Sequence, residues 1–417
     1  MATTYLLKQW GVATNDKIGT VSMWVKRSGL STAMPVWSSW YDGNNEMKIG
    51  FQADDTLVFF NYASGFQMQY VTDRLFRDTS GWYHILFNID TTLGAAGDRQ
   101  QIWINGVRET SFSTGTDFAL NDVPEWGATD KKNTIGVGSG LLSAVFSGLI
   151  SDICFIDGQA LPPTSFGETD TTTGEWKIKP IASDAFTWGT NGYMILKDGN
   201  TITDQSSNSN NYVLTSGTLT NTEDCPSDVF ATMNPLANYP QASTFTQGNN
   251  TVEWNTGNKI NLATLGMTAG KYYWELKYNT DTGGANLMTG VGIANVENSG
   301  YVGADATGWA YYASGGEKYT GGSGSSYGGA FTTGDIIGVA FDANSRTIWF
   351  SKNGVWQNSA TISEIGAGTT TNSAFTGMGS AGDTFLPVTS GYDGNIVSYN
   401  FGNGYFGITV ISSAGTN

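Results

Sequence analysis

Hydrophobic and polar residues alternate along much of the chain, as they do in half-buried β-strands. Clear examples are residues 20–26, 84–89 and 101–104, where every second side chain would face a core. The period of about 3.6 residues that marks an amphipathic helix is hard to find anywhere. The pattern predicts an all-β protein made of many short antiparallel strands.

Two Asn-Gly dipeptides lie between alternating runs. Asn105-Gly106 follows QIWI, and Asn353-Gly354 lies within TIWFSKNGVW. Both residue types tolerate the positive φ that a two-residue type I′ turn requires. The sequence therefore predicts two hairpins of one design, which favours two domains of related architecture.

Composition strengthens the all-β prediction. Glycine accounts for 55 of 417 residues, charged residues for 13% and aromatic residues for 13%. Abundant glycine suits many tight turns, and the scarcity of charge disfavours coiled coils and charged disordered tails. The length is enough for two or three domains.

Between the two hairpins, alternation weakens over residues 163–244. Pro226, Pro235 and Pro240 oppose long central strands there. We expect residues 1–162 and 245–417 to form two antiparallel sandwiches of jelly-roll type. Residues 163–244 would be a semi-ordered connector or a small β subdomain, able to pack on either neighbour.

The balance of charge restricts the partners. The formal net charge is −16 and the only adjacent basic pairs are Lys26-Arg27 and Lys131-Lys132, so nucleic acid is a poor partner. No apolar run approaches the roughly 18 residues of a membrane span, and the first residues lack a signal-peptide pattern. We therefore expect no membrane insertion and no Sec export.

The first 160 or so residues resemble the concanavalin A-like, laminin-G-like family. The matching segments are TVSMWVKRSG, GWYHILFNIDTT, RQQIWINGVRE and FSGLISDICFIDGQAL, in the family's order. Residues from about 245 to 407 resemble the SPRY domain through KYYWELKY, GDIIGVAFD, TIWFSKNGVW and FLPVTSG. The SPRY resemblance implies a binding module with recognition loops rather than an enzyme.

The combination of these two folds resembles structural proteins of tailed bacteriophages, notably marine ones. That resemblance implies synthesis in the bacterial host cytoplasm and a location on the virion surface, as a tail fibre, head fibre or decoration protein. It implies contacts with other capsid or tail proteins and a homo-oligomer, with a trimer favoured.

Catalytic residues are scarce. His84 is the only histidine and is expected to be a strand residue of the sandwich, so a Ser-His-Asp triad would have to include it. The acidic clusters, such as Asp54-Asp55, lack the alternate spacing with which glucanases of the concanavalin A-like group place two carboxylates in one groove. We expect no enzymatic activity.

Calcium is the one candidate cofactor. Laminin-G-like domains often bind it, and Asp42, Asn44 and Glu46 surround a glycine turn with hard oxygen ligands. An ordinary polar turn is the alternative interpretation of the same residues.

Candidate ligand-binding residues are aromatic, because rings that stack on sugars need exposure beside polar groups. Trp37, Trp40 and Tyr41 precede the Asp42 turn, and Tyr319 and Tyr327 accompany a Gly/Ser-rich stretch. The alternative for each of these residues is a position in the hydrophobic core.

Three functions follow as hypotheses. The first is a non-enzymatic virion-surface adhesin that binds a host-surface glycan or receptor through sandwich loops. The second is a capsid or tail decoration protein with a purely structural role. The third is a cellular lectin or glucanase, which the expected lack of a signal peptide and of a carboxylate pair disfavours.

Overall fold

The computed structural model describes residues 4–126, 130–139, 144–239, 243–255, 257–293, 296 and 300–415. The chain divides into two compact units. The first comprises Met1–Asn221 with Cys225–Val229, and the second comprises Thr222–Asp224 with Phe230–Asn417.

The first unit contains two large antiparallel sheets. Its strands are β1 Tyr5–Gln9, β2 Ile18–Arg27, β3 Met34–Asp42, β4 Asn45–Phe51, β5 Thr56–Ala63, β6 Phe66–Leu75, β7 Tyr83–Asp90, β8 Gln100–Ile104, β9 Val107–Arg108, β10 Phe112–Thr116, β11 Lys132–Ile135, β12 Gly148–Asp157, β13 Gly167–Thr169, β14 Trp176–Ile178, β15 Tyr193–Ile195 and β16 Val213–Ser216. Sheet A has the order β10-β6-β5-β4-β3-β11-β1-β16, and sheet B has the order β15-β12-β2-β7-β8-β9. Strands β13 and β14 form a separate hairpin.

A single hydrophobic core fills the space between sheets A and B. It takes alternate residues of the facing strands, for example Met47 and Ile49 of β4 with Ile85 and Phe87 of β7, all fully buried. This alternation is the one that the sequence pattern predicts, since successive side chains of a strand point to opposite faces.

The segment predicted as a connector contributes to both units. Phe166, Ile181 and Trp188 pack on Leu86 and Cys154, which point away from the main core of the first unit. Strand β15 pairs with β12, and β16 pairs with β1. The later part, from Phe230 onward, belongs to the second unit.

The second unit also contains two large antiparallel sheets. Its strands are β17 Met233–Tyr239, β18 Thr244–Thr246, β19 Thr251–Glu253, β20 Lys259–Ala263, β21 Lys271–Thr280, β22 Met288–Gly292, β23 Gly308–Tyr312, β24 Glu317–Thr320, β25 Ser323–Ser326, β26 Ile336–Asp342, β27 Thr347–Lys352, β28 Val355–Trp356, β29 Leu386–Gly391, β30 Ile396–Asn400, β31 Tyr405–Phe406 and β32 Thr409–Val410. Sheet C has the order β17-β20-β29-β22-β23-β24-β25, and sheet D has the order β18-β19-β30-β21-β26-β27-β28.

The core of the second unit lies between sheets C and D and is rich in aromatic residues. Trp274, Tyr278 and Phe341 come from sheet D, whereas Trp309 and Tyr311 come from sheet C. The prediction of an all-β chain with two antiparallel sandwiches is confirmed.

Helices are short. The α-helix α1 spans Ile362–Ala367, and 3-10 turns span Ala96–Asp98, Pro163–Ser165 and Gln357–Ser359. A capping box between Thr361 and Glu364 begins α1, and Gly368 ends it in the left-handed region with φ 73°. Within the described residues, no helix has the length and apolar character needed to cross a membrane.

Candidate functional site

Two hairpin tips lie side by side at one end of sheet A. The β3–β4 turn passes through Gly43 and Asn44, and the β5–β6 turn passes through Ser64 and Gly65. The N–H of Ser64 donates to the carbonyl oxygen of Asn44 over 2.8 Å, and Asn45 of β4 pairs with Ala63 of β5. The two turns therefore form one continuous polar edge.

A row of side chains crosses the outer face of sheet A just below these tips. The residues opposite one another on β11, β3, β4, β5 and β6 are Lys132, Trp40, Glu46, Tyr62 and Phe66. Met47 beside Glu46 and Phe59 beside Phe60 are in the core, so Glu46, Phe60 and Tyr62 point away from it. Phe66 reaches the same face because the register of β5 with β6 shifts between Asn61 and Tyr62. The next row along the strands includes Lys48 beside Phe60.

We call Lys48, Phe60, Tyr62 and Phe66 the aromatic patch. The ring of Phe66 meets those of Phe60 and Tyr62 edge-on, with centroids 5.7 and 5.0 Å apart. The ammonium of Lys48 lies 4.6 Å from the centre of the Phe60 ring. Phe66 is 51% exposed, and edge-to-face packing leaves part of its ring for a ligand.

Two predicted ligand residues are buried, Trp37 in the core and Trp40 on the outer face of sheet A, which corrects their assignment as an exposed binding platform. Trp37 is fully buried and its indole N–H donates to the Tyr193 hydroxyl over 2.9 Å. Trp40 is 5% exposed, donates to Thr134 Oγ1 over 3.0 Å and lies under the Lys132 ammonium at 4.7 Å. Neither ring has a free face.

Tyr41 and the turn after it are exposed, as a binding loop requires. Tyr41 is 54% exposed. Asp42 Oδ1 accepts from the N–H of Asn44 and from the side chain of Asn45, over 2.8 and 2.9 Å. These bonds, the one from Asn45 first, hold the pKa of Asp42 below its usual value, so the tip carries a permanent negative charge.

The proposed calcium ligands are not brought together as one set. Glu46 is buried and its carboxylate accepts from the N–H and the hydroxyl of Ser139, over 2.7 and 3.0 Å. The Asp42 carboxylate instead accepts hydrogen bonds from Asn44 and Asn45 of its own turn. In the part of the chain that the structure describes, no group of three or more His, Cys, Asp or Glu side chains is arranged to hold a metal ion.

The two candidate tyrosines of the second unit differ from each other. Tyr327 is 7% exposed and its hydroxyl accepts from the N–H of Phe350 over 3.2 Å, so it is a core residue rather than a binding residue. Tyr319 is half-buried and lies about 6 Å from both Tyr301 and Tyr312, ring centre to ring centre.

The chemistry of His84 argues against a catalytic Ser-His pair. Nε2 lies 2.9 Å from Ser22 Oγ, and Nδ1 accepts from the Trp176 indole over 3.1 Å. Since Nδ1 is an acceptor, the neutral ring carries its proton on Nε2 and donates to Ser22, so it cannot accept a proton from that hydroxyl. Burial lowers the pKa of His84 to about 3, which keeps the ring neutral.

The acidic pair Asp54-Asp55 has a structural role. Asp55 is 2% exposed and forms ion pairs with Arg27 and Arg77, each over 3.0 Å. Asp54 accepts from the N–H and the hydroxyl of Thr56. The pair therefore anchors the β4–β5 turn.

Sequence reasoning missed the aromatic patch. The signal that could have found it is the alternation of residues 56–62 followed by Ser64-Gly65, which places Phe60 and Tyr62 on one face. Local sequence does not say which face of a two-sided sheet is exposed, because both faces here carry large apolar residues.

Two family models match the chain. Residues 8–165 match the concanavalin A-like lectin/glucanases superfamily, and residues 271–404 match the SPRY domain. No curated protein sequence matches the chain.

Solved structures similar to the chain include three SPRY domains. The SPRY domain of human HERC1 has 23% identity and a TM-score of 0.33, over 41% of this chain and 98% of that one. A human SPRY domain has 18% identity and a TM-score of 0.29, over 37% and 92%. The TRIM65 PSpry domain has 13% identity and a TM-score of 0.31, over 41% and 92%.

Proposed function

Because the chain contains a concanavalin A-like domain followed by a SPRY domain, we propose that it is a binding protein without catalytic activity. We propose further that it lies on the surface of a tailed bacteriophage virion and attaches to a glycan on the host cell. The observation that carries the binding proposal is the exposed aromatic patch below the two polar hairpin tips.

The chemistry of the patch suits a sugar. A pyranose ring has an apolar face of C–H groups and a rim of hydroxyls, so it needs a flat apolar surface with hydrogen-bonding groups beside it. The exposed ring of Phe66 supplies that surface, and Tyr62 supports it edge-on. Asn44, Ser64 and the ionised Asp42 supply donors and acceptors at the adjoining tips.

A small open patch binds one sugar residue weakly, and repetition of the patch compensates. In a trimer, three copies would engage neighbouring repeats of one surface polysaccharide, which raises the overall affinity without any new contact. The virion location rests on the resemblance of the two-domain combination to phage structural proteins.

Binding to polysaccharide purified from the host surface tests this function. The full chain, immobilised at a density that permits multivalent contact, should retain the polysaccharide. Phe66→Ala should weaken retention about tenfold, since it removes the exposed ring. Leu75→Ala is the matched control, because Leu75 is a 45% exposed apolar residue of the same strand, β6, at its other end.

Loss of binding only in Phe66→Ala supports the proposal. Equal retention by Phe66→Ala and the native chain contradicts the patch as the site. If the native chain retains no host polysaccharide at all, the glycan proposal fails and a structural role as a decoration protein replaces it. Release of sugar fragments during the assay would favour a glucanase instead.

A further inference from the structure

A polar cavity opens on the outer face of sheet D in the second unit, remote in sequence from the aromatic patch. Its volume is about 320 Å³, at the small end of the roughly 300–1,000 Å³ of ligand cavities. Its floor is a row of opposed residues on β19, β30 and β21, namely Thr251, Ser398 and Lys277. That size suits one sugar residue.

Hydrogen bonds fix the floor and leave donors for a ligand. Asn279 Nδ2 donates to Ser398 Oγ over 2.6 Å, and Ser398 Oγ lies 2.8 Å from Thr251 Oγ1. When Ser398 donates to Thr251, the hydroxyl hydrogen of Thr251 remains for a ligand, as does the second hydrogen of the Asn279 amide.

Lys277 supplies the charge of the cavity. Among the described residues its ammonium has no hydrogen bond or ion pair, and it lines the cavity directly. The nearest acidic residue along its strand, Glu275, is 1% exposed. Its carboxylate accepts from the Tyr273 hydroxyl and from the N–H of Gly415, over 2.6 and 2.5 Å. Lys277 is therefore a cation without a counterion among the described residues, in a chain of net charge −16.

The hairpin of β31 and β32 forms the apolar wall. Phe406, Gly407 and Ile408 line the cavity. Gly407 has φ 61°, and a Cβ there would lie 3.5 Å from Ser398 Oγ, so the turn lies close over the floor. Ile408 is 63% exposed and borders the opening.

We propose that this cavity binds a monosaccharide that carries a carboxylate. The carboxylate pairs with Lys277, ring hydroxyls bond to Thr251 and Asn279, and the C–H face of the sugar packs on Ile408. The charge-assisted bond to the free ammonium provides the selection for acidic over neutral sugars. This site is independent of the aromatic patch and of its proposed function.

Ligand-observed saturation-transfer NMR with the full chain tests the proposal. The probes are glucuronate and N-acetylneuraminate, with glucose as the uncharged control. We expect saturation of both acids and little of glucose. Lys277→Gln should lower the affinity for the acids about tenfold, the loss of one charge-assisted hydrogen bond. Lys179→Gln changes the net charge equally at an exposed residue of the first unit and should leave binding unchanged.

A second pair of variants guards against a folding defect in Lys277→Gln. Ile408→Glu places a negative charge at the opening and should weaken binding of the acids. Val410→Glu changes a residue of the same hairpin that is 61% exposed and should have no effect. Phe66→Ala should also leave the signals unchanged, so the two proposals fail separately.

Equal saturation of glucose and glucuronate overturns the proposal, because it removes the role of charge. Binding of the acids that survives both Lys277→Gln and Ile408→Glu also overturns it, because the acids then bind elsewhere. Absence of saturation for both acids at millimolar concentration contradicts the site outright.

Discussion

The two Asn-Gly hairpins, one in each unit, share one geometry. Asn105 and Asn353 both have φ 49°, and the glycines that follow have φ 75° and 79°. In the first unit the N–H of Asn105 donates to the carbonyl oxygen of His84 over 2.9 Å, and Asn105 Oδ1 accepts from the His84 N–H over 2.7 Å. In the second, Asn353 makes the same pair of bonds with Ile336, both over 2.8 Å.

The two hairpins differ in what covers them. A Cβ on Gly106 would lie 2.4 Å from the Trp176 ring, and Trp176 also donates to His84. On Gly354 the nearest atom would be the carbonyl oxygen of Ala414, at 3.7 Å. The same turn is therefore embedded under a later segment in the first unit. In the second, Ala414 and Gly415 border the turn but leave Gly354 exposed, with room for a methyl group. Local sequence determines the turn, and distant sequence determines how much a change in it costs.

The largest expected difference is the response to acid, because His84 is a titratable residue where the second unit has Ile336. The unfolded chain protonates His84 near pH 6.5, whereas the folded chain does so only near pH 3. The contribution of His84 to stability is present above pH 6.5 and is lost as pH falls towards 3, by up to about 4–5 kcal/mol.

Urea unfolding at a series of pH values, for the native chain and for His84→Gln, measures this contribution. Both proteins have the same carboxylates. The difference between their slopes of unfolding free energy against pH, from pH 6.5 to 3, therefore reports the contribution of His84 alone. We expect His84→Gln to have the shallower acid dependence. Parallel curves would mean that the folded chain protonates His84 near pH 6.5, as the unfolded chain does.

The next effect is the cost of a methyl group at each turn glycine. Gly106→Ala combines left-handed backbone strain with a clash against Trp176 and should cost about 2–4 kcal/mol of unfolding free energy. Gly354→Ala meets only the strain and should cost about 1–2 kcal/mol. Chemical denaturation of the two variants measures both losses of unfolding free energy. Equal losses would contradict the distinction between the covered Gly106 and the exposed Gly354.

A smaller difference should follow removal of the asparagine side chains. Asn105→Ala leaves the N–H of fully buried His84 without its acceptor, at a cost of about 2 kcal/mol. Asn353 is exposed, so water can replace its side chain, and Asn353→Ala should cost about 1 kcal/mol. The Asn→Asp variants keep an acceptor oxygen and should recover most of the loss; a similar loss in them would show that the amide nitrogen matters instead.

These comparisons also indicate how far sequence alone could go. Alternation and the Asn-Gly dipeptides predict the strands and both hairpins because those signals are local. The cover provided by Trp176 is separated from Gly106 by 70 residues of chain, and no local pattern encodes such a contact.

The candidate site was predicted only in part for a related reason. The Asp42 turn and Tyr41 are exposed, as a turn signal implies. Trp37 is buried because it points into the core, where its indole bonds to Tyr193 of sheet B. Trp40 is buried on the outer face because Lys132, its partner on β11, covers it. Exposure of Phe66 depends on sheet order, which the sequence does not specify locally.

The exposed ring of Phe66 is the centre of the functional account, and phage adsorption in the presence of the purified chain tests it most directly. Host cells are incubated with the native chain, Phe66→Ala or Leu75→Ala, phage is added, and free particles are counted. The account predicts that the native chain and Leu75→Ala raise the number of free phage with dose, whereas Phe66→Ala needs about ten times more protein. Adsorption that stays unchanged at saturating native chain, or that Phe66→Ala blocks as well as the native chain does, would contradict it.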